Sequence, residues 1–180
     1  LIAGNTGSGI RIDAGAVGVH ALAGNGIGIG VGGVALGNGG DGIRIEGPSG
    51  TATVARVYPF NTGNSASISA CSGSPIRSAT SNGGAGIRVD GPAWVDVLAA
   101  SVDGNAALEL DLSPTGVTPN DPGDGDTGPN TLLNTPTLVS ASFDVATLTG
   151  TITGTLSTTP STGNIEVHYY LSEACDPSGS

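Results

Sequence analysis

Lysine is absent from this chain, and five arginines face fifteen acidic residues, for a formal net charge of −10. That balance disfavours nucleic acid as a partner, because phosphate binding rests on clustered Lys and Arg. An anionic polysaccharide would be repelled at long range unless a cation bridged it. No run of 18 apolar residues occurs, so the sequence holds no transmembrane segment. Aromatic residues make up only 3%. Cysteine is confined to Cys71 and Cys175, which make no disulfide framework. Buried or idle thiols are the plainer reading than a mutual bridge. No stretch keeps a 3.6-residue apolar period past its next Gly or Pro, which argues against helices. A secretion signal is missing too, but Leu1-Ile2 opens the chain inside a repeated phrase and without Met. The sequence therefore reads as a piece of something longer, and the missing signal is uninformative.

What the chain has is glycine, 32 residues of 180, well above the usual level of about 7%. With 37% hydrophobic residues, mostly small aliphatics, this composition points to many tight turns around a thin core. The organising phrase is Gly37-Asn38-Gly39-Gly40-Asp41-Gly42-Ile43-Arg44-Ile45-Glu46-Gly47-Pro48. Its Asn leads through a glycine-rich turn to an apolar–polar–apolar triplet, which on a strand places Ile43 and Ile45 on one face and Arg44 on the other. The phrase recurs as Asn5 with Ile10-Arg11-Ile12, Asn82 with Ile87-Arg88-Val89, and Asn105 with Leu110-Asp111-Leu112.

The triplets are separated by 33, 44 and 23 residues. The last two intervals fit two turns and one turn of a coil of about 22 residues, too short for a strand–helix–strand unit. The first carries a surplus of about 11, assigned to the glycine-rich segment 24–33 as an outward hairpin or loop. Three short strands per coil predict an all-β chain wound as a right-handed parallel β-helix, a solenoid. Inward aliphatics then stack from coil to coil, each burial contributing roughly 1.5–3 kcal/mol. The corner Asn residues should stack as well, hydrogen-bonding their own turn and the next.

These residues resemble the repeat region of large bacterial secreted proteins with pectate-lyase-like parallel β-helices, often CSLREA-domain-containing. The resemblance is carried by 23–45, by Gly116-Val117-Thr118-Pro119-Asn120-Asp121-Pro122-Gly123-Asp124-Gly125-Asp126-Thr127-Gly128-Pro129-Asn130, which is similar to the family's closing phrase, and by Asn134-Thr135-Pro136-Thr137-Leu138. It implies an extracellular or cell-surface location and further domains in the same parent chain, but no established reaction. Two departures stand out. The coil at 93–104 lacks corner asparagines, and Asn105 is followed by Ala-Ala-Leu-Glu rather than glycines, which predicts less regular corners there.

The expected organisation is β-helix coils over 1–112, a Pro/Asp-rich loop over 113–136 and antiparallel strands over 137–180. Arg11, Arg44 and Arg88 share one outward position, with Asp13, Glu46 and Asp90 two residues on. A solvated wall of ion pairs is the plain reading, and a strip gripping carboxylates of a glycan or partner the sharper one. In the loop, Asp121, Asp124 and Asp126, with Asn120 and Asn130 near, gather oxygen ligands of the kind Ca²⁺ needs. The competing reading is a rigid solvated linker, since the bidentate Glu of familiar calcium loops is missing. Toward the end, the alternation of 148–156 and of 165–171 across a turn-prone 157–164 predicts an antiparallel hairpin. It reads as a truncated immunoglobulin-like sandwich whose strands cover the last coil.

Function follows from these parts. Enzymes with this architecture cleave pectin, using a calcium-binding acidic cluster on a coil wall with an Arg or Lys base, or close aspartates. Here Lys is absent, the Arg residues are on separate coils, and His20 and His168 belong to different regions. A polysaccharide-binding wall would want aromatic platforms, for which only Trp94, Tyr58 and Tyr170 offer themselves. The expectation is a non-catalytic structural, adhesin-like segment, with an extracellular glycan or surface protein as partner. The alternative is a polysaccharide-binding or polysaccharide-cleaving β-helix.

Overall fold

The computed structural model describes residues 1–16, 19–22, 25–47, 54–57, 81–97, 102, 104–158, 165 and 167. Among them the chain is all-β, with nine strands: β1 (Ile10–Ile12), β2 (Val19–Leu22), β3 (Ile43–Glu46), β4 (Val54–Val57), β5 (Ile87–Asp90), β6 (Trp94–Val97), β7 (Leu110–Leu112), β8 (Thr137–Asp144) and β9 (Thr149–Thr155). The only helical segments among the described residues are short 3-10 turns at Val31–Gly33 and Pro129–Leu132. Among the described residues no helix is long and apolar enough to cross a membrane.

Two units divide the chain. The first comprises residues 1–118 and 127–132, the second 119–126 and 133–180. In the first, the odd strands form a parallel sheet in the order β1-β3-β5-β7, and the even strands a second parallel sheet, β2-β4-β6. Register is set by the repeat: Ile10 pairs with Ile43, Ile43 with Ile87, and Ile87 with Leu110. Equal spacing within each phrase thus puts like beside like, and the aliphatic face stays continuous.

That face is the core. Ile12, Ile27, Ile43, Ile45, Ile87, Val89, Ala93 and Val95 form one buried cluster, and Ile45 and Val89 are completely sealed. Burial weakens toward the ends of the sheet, although Ile12 of the first strand still belongs to the core. Ile10 in the first strand is accordingly half-buried, and Leu110 in the last is 43% exposed.

The surplus in the first interval is a self-paired excursion. Ile2 bridges Ile27 in parallel, after which Ile29 bridges Ala35 antiparallel. Gly30 N–H donates to the Val34 carbonyl and Leu36 N–H to that of Gly28. Gly32 and Gly33 turn the tip with φ of +76° and +79°, a region that costs other residues strain. The excursion therefore runs a few residues later than the 24–33 expected.

In the second unit, β8 and β9 form an antiparallel pair, Thr137 opposite Thr155 and Asp144 opposite Thr149. The alternating segment expected at 148–156 is present as β9, and its described partner is β8; the expected partner 165–171 lies largely outside the described residues. A four-residue link at 145–148 closes the β8–β9 hairpin at low entropic cost, and 139–143 alternates apolar and polar residues as a strand should. Residues 166 and 168–180 lie outside the described residues, as do 48–53 and 58–80, where the sequence suggested a Ser-rich coil. Every residue of β8 and β9 is exposed, on both faces.

Candidate functional site

Two polar constellations stand out, one in each unit. In the first unit the corner asparagines form a ladder. Asn5 donates from its backbone N and from Nδ2 to Oδ1 of Asn38, at 3.2 and 2.8 Å. Asn38 does the same to Asn82, at 3.2 and 2.9 Å. Asn82 repeats it toward Asn105, at 3.2 and 2.8 Å. Asn38 and Asn82 are buried at 2% and 1% exposure, so these hydrogen bonds replace water outright. The expected irregularity after Asn105 does not occur. Ala106 and Ala107 N–H donate to the Asn82 and Gly84 carbonyls, just as Gly83 and Gly84 do to Asn38 and Gly40.

Sequence reasoning missed how the ladder ends. Asn105 Nδ2 donates to the carboxylate of Glu109, four residues on. In the other phrases that position is Gly9, Gly42 and Gly86. A Cβ at Gly86 would lie 2.7 Å from Asn105 Nδ2 and 2.8 Å from the Glu109 carbonyl, so a glycine is needed wherever another asparagine follows. The change from Gly to Glu was the readable signal that the stack stops here.

The arginine row is a zigzag of ion pairs. Arg11 pairs with Asp13 and, at 3.0 Å, with Glu46. Arg44 meets Glu46 and Asp90, each at 3.0 Å. Arg88 binds Asp90 at 3.0 Å and Asp111 at 2.9 Å. Hydrogen bonding and charge from Asp13, then Glu46, raise the Arg11 pKa above its usual value, and the hydrogen bond to Asp90 raises that of Arg88 against the opposing effect of burial. Each guanidinium is thus engaged by acids of its own repeat and the next, which favours the solvated ion-pair wall over a grip on foreign carboxylates. Asp111 takes the place of an arginine in the last repeat. It is 1% exposed, covered by Arg88 and by a hydrogen bond from Gly116 N–H.

Asn130, which the sequence grouped with the loop aspartates, engages Val95 with its side-chain amide. Its Oδ1 accepts from Val95 N–H at 2.7 Å, and its Nδ2 donates to the Val95 carbonyl at 2.9 Å. A side-chain amide thereby stands in for the next peptide group along β6.

The second unit holds the predicted metal ligands. Asp121, Asp124 and Asp126 each offer an oxygen within 4.8 Å of the others. Their loop is organised on buried Asn134, whose Oδ1 accepts from Asp121 N–H and whose Nδ2 donates to the carbonyls of Asp121 and Ser157. Asp124 accepts from Asn134 N–H and from the Thr158 hydroxyl, and Asp121 Oδ2 from Gly125 N–H. Asn120 closes the base through both backbone groups of Thr135. Two oxygens, Asp121 Oδ1 and Asp126 Oδ1, are shielded from solvent and have no hydrogen-bond partner. An all-oxygen, anionic set with two unsatisfied acceptors fits a hard cation such as Ca²⁺ better than a transition metal.

Of the other candidates, His20 has a shielded Nε2 without a hydrogen-bond partner. His168, Tyr58, Tyr170, Cys71, Cys175 and the Trp94 side chain lie outside the described residues. No family model, no curated protein and no solved structure matches this chain.

Proposed function

We propose that this chain is a non-catalytic structural, adhesin-like segment of a secreted or surface-attached bacterial protein. In this reading the two parallel sheets are walls of a right-handed parallel β-helix that holds neighbouring domains away from a surface. The observation that supports it most is that the repeat's polar groups answer one another: the Asn ladder and the Arg–acid zigzag run from repeat to repeat. Such groups add cohesion and leave little chemistry to offer a substrate. The resemblance to secreted β-helix repeats points the same way. Incubation with pectate, alginate and related uronides is expected to give no unsaturated product in a spectrophotometric lyase assay. Robust turnover would replace this reading with the polysaccharide-cleaving one, and saturable retention of a glycan without turnover with the polysaccharide-binding one.

A second reading concerns Asp121, Asp124 and Asp126, carried by the two unsatisfied oxygens. We infer that they hold Ca²⁺, which would offset most of the charge of the three carboxylates and tie the loop around Asn134. Extracellular Ca²⁺ modules bind at about 10⁻⁴–10⁻³ M, so melts in EDTA and in millimolar Ca²⁺ are the test. A higher midpoint with Ca²⁺, abolished by Asp124→Asn, is expected. Identical midpoints would remove the metal.

A further inference from the structure

The antiparallel pair has two outer edges of unlike character. β8 carries the devices that keep an edge from adding strands. Pro136 stands just ahead of it, Val139 bulges between Leu138 and Ser140, and Asp144 sets a charge at its end. β9 carries none of these. Its seven residues hold no charge, no proline and no bulge, and among the described residues it pairs with β8 alone. Ile165 and Val167, the described residues of the segment once expected beside it, belong to no strand.

This unguarded strand also reads the same in both directions. Leu148-Thr149-Gly150-Thr151-Ile152-Thr153-Gly154-Thr155-Leu156 is a palindrome centred on Ile152. Two such strands laid antiparallel about a two-fold axis at Ile152 place every residue opposite one of its own kind. Ile152 faces Ile152, Thr151 faces Thr153, Gly150 faces Gly154, and Thr149 faces Thr155. The side chains match as well. Residues opposite one another in an antiparallel pair share a face. One face of the hairpin therefore holds Leu138, Ala141, Phe143 and Ile152 with the two glycines, and the other holds Thr and Ser with Asp144. Phe143 reaches over Gly150, where an added Cβ would lie 3.8 Å from its ring, and Leu138 stands opposite Gly154. Joining two β9 strands sets Ile152 beside Ile152 in the central row. In the row on either side lie two glycines, backed by Phe143 of one hairpin and Leu138 of the other. Large residues thus fall beside small ones across the seam, and the two apolar faces become one.

We propose that β9 is a self-association edge, pairing antiparallel with β9 of a second copy to make a four-stranded sheet in the order β8-β9-β9-β8. The palindrome selects the occupant, because like-with-like register along the whole strand comes only from another copy. Charge agrees. A formal net charge of −10 disfavours contact between copies over most of the chain, whereas the one carboxylate of this pair, Asp144, lies on the strand away from the seam. The guarded β8 edges then close the assembly at two copies instead of a growing sheet. A seven-residue edge is a small contact, and contacts below about 1,200 Å² are weak and transient. The dimer therefore forms at high protein concentration and dissociates on dilution. The inference goes beyond the structural role and stands whether the chain is a spacer or binds glycans.

Sedimentation of the complete chain, from micromolar to millimolar concentration, tests the edge. A reversible monomer–dimer equilibrium is expected. Ile152→Lys and Ile152→Glu each bring two like charges together on the axis, and each should weaken dimerisation by at least about tenfold. An equimolar mixture of the two variants should restore it, which neither a misfolded hairpin nor a contact elsewhere would do. Amide exchange at Ile43 and Ile87 should match the parent chain in both variants. A chain that stays monomeric at millimolar concentration would overturn the proposal. So would dimers indifferent to either charge, or a mixture that associates no better than each variant alone.

Discussion

The two units use the same residue types to opposite effect. In the parallel unit, Ile45 and Val89 are 0% exposed, while in the antiparallel pair Leu138, Phe143 and Ile152 are 61%, 64% and 46% exposed. Both regions alternate apolar and polar residues, and both are strand-paired. What separates them is repetition along a second direction. A phrase recurring along the chain places each aliphatic beside its counterparts in a parallel sheet and against the residues of another sheet. A lone two-stranded hairpin has a partner along its hydrogen bonds and none across its face. Alternation alone therefore specifies a strand, and the repeat specifies its burial.

The comparison breaks most visibly at its best-buried position. Ile45→Ala is expected to cost about 2–5 kcal/mol in a denaturant midpoint, against under about 0.5 kcal/mol for Ile152→Ala. Equal costs would mean that the parallel unit is not held by its stacked core. Next comes the ladder. Asn82→Ala strands the buried donors of Asn38 and removes one of the two hydrogen bonds from residue 82 to Asn105 Oδ1, and should cost about 2–4 kcal/mol. Asn5→Ala, at the exposed end, should cost about 1 kcal/mol or less by the same measurement.

Smaller effects sharpen the contrast. Ser81 precedes a ladder asparagine with φ of +58°, where Gly4 and Gly104 precede theirs. Ser81→Gly should raise stability by about 0.5–1 kcal/mol, relief of a left-handed residue outweighing the added chain entropy. In the hairpin, the Asp144 carboxylate accepts from Ala146 N–H and also interacts with Thr147, holding its pKa below the usual 3.8. Since the folded value is the depressed one, this contribution is complete above the usual value and is lost as pH falls through the folded one. The Ala146 amide shift should therefore titrate below pH 3.8, and Asp144→Asn should abolish that titration.

Much of the first unit was legible beforehand because its information is periodic. Asn at a fixed distance from an aliphatic pair predicted the triplet strands and the stacked asparagines, and the odd interval predicted an excursion. The terminations were harder to read. Glu109, Asp111 and Asn130 act by standing where a repeating residue would have stood, so their meaning appears only once the stack is in place. In the second unit, Asp121, Asp124 and Asp126 were read as a cluster from spacing. Asn134 entered the sequence reading only as the start of Asn134-Thr135-Pro136-Thr137-Leu138; that it organises the aspartate loop from ten and thirteen residues away is visible only in the fold. The alternation of 148–156 was legible as a strand, while its expected partner 165–171 falls largely outside the described residues.

Native-state amide exchange, resolved residue by residue, tests the central claim most directly. If stacking along the repeat supplies the stability, the Ile43 and Ile87 amides, bonded to the carbonyls of Gly86 and Glu109, will be among the slowest in the molecule. Those of Thr149–Thr155 will exchange at least about a hundredfold faster. Comparable rates in the two strand sets, or a slowest core within β8 and β9, would contradict it.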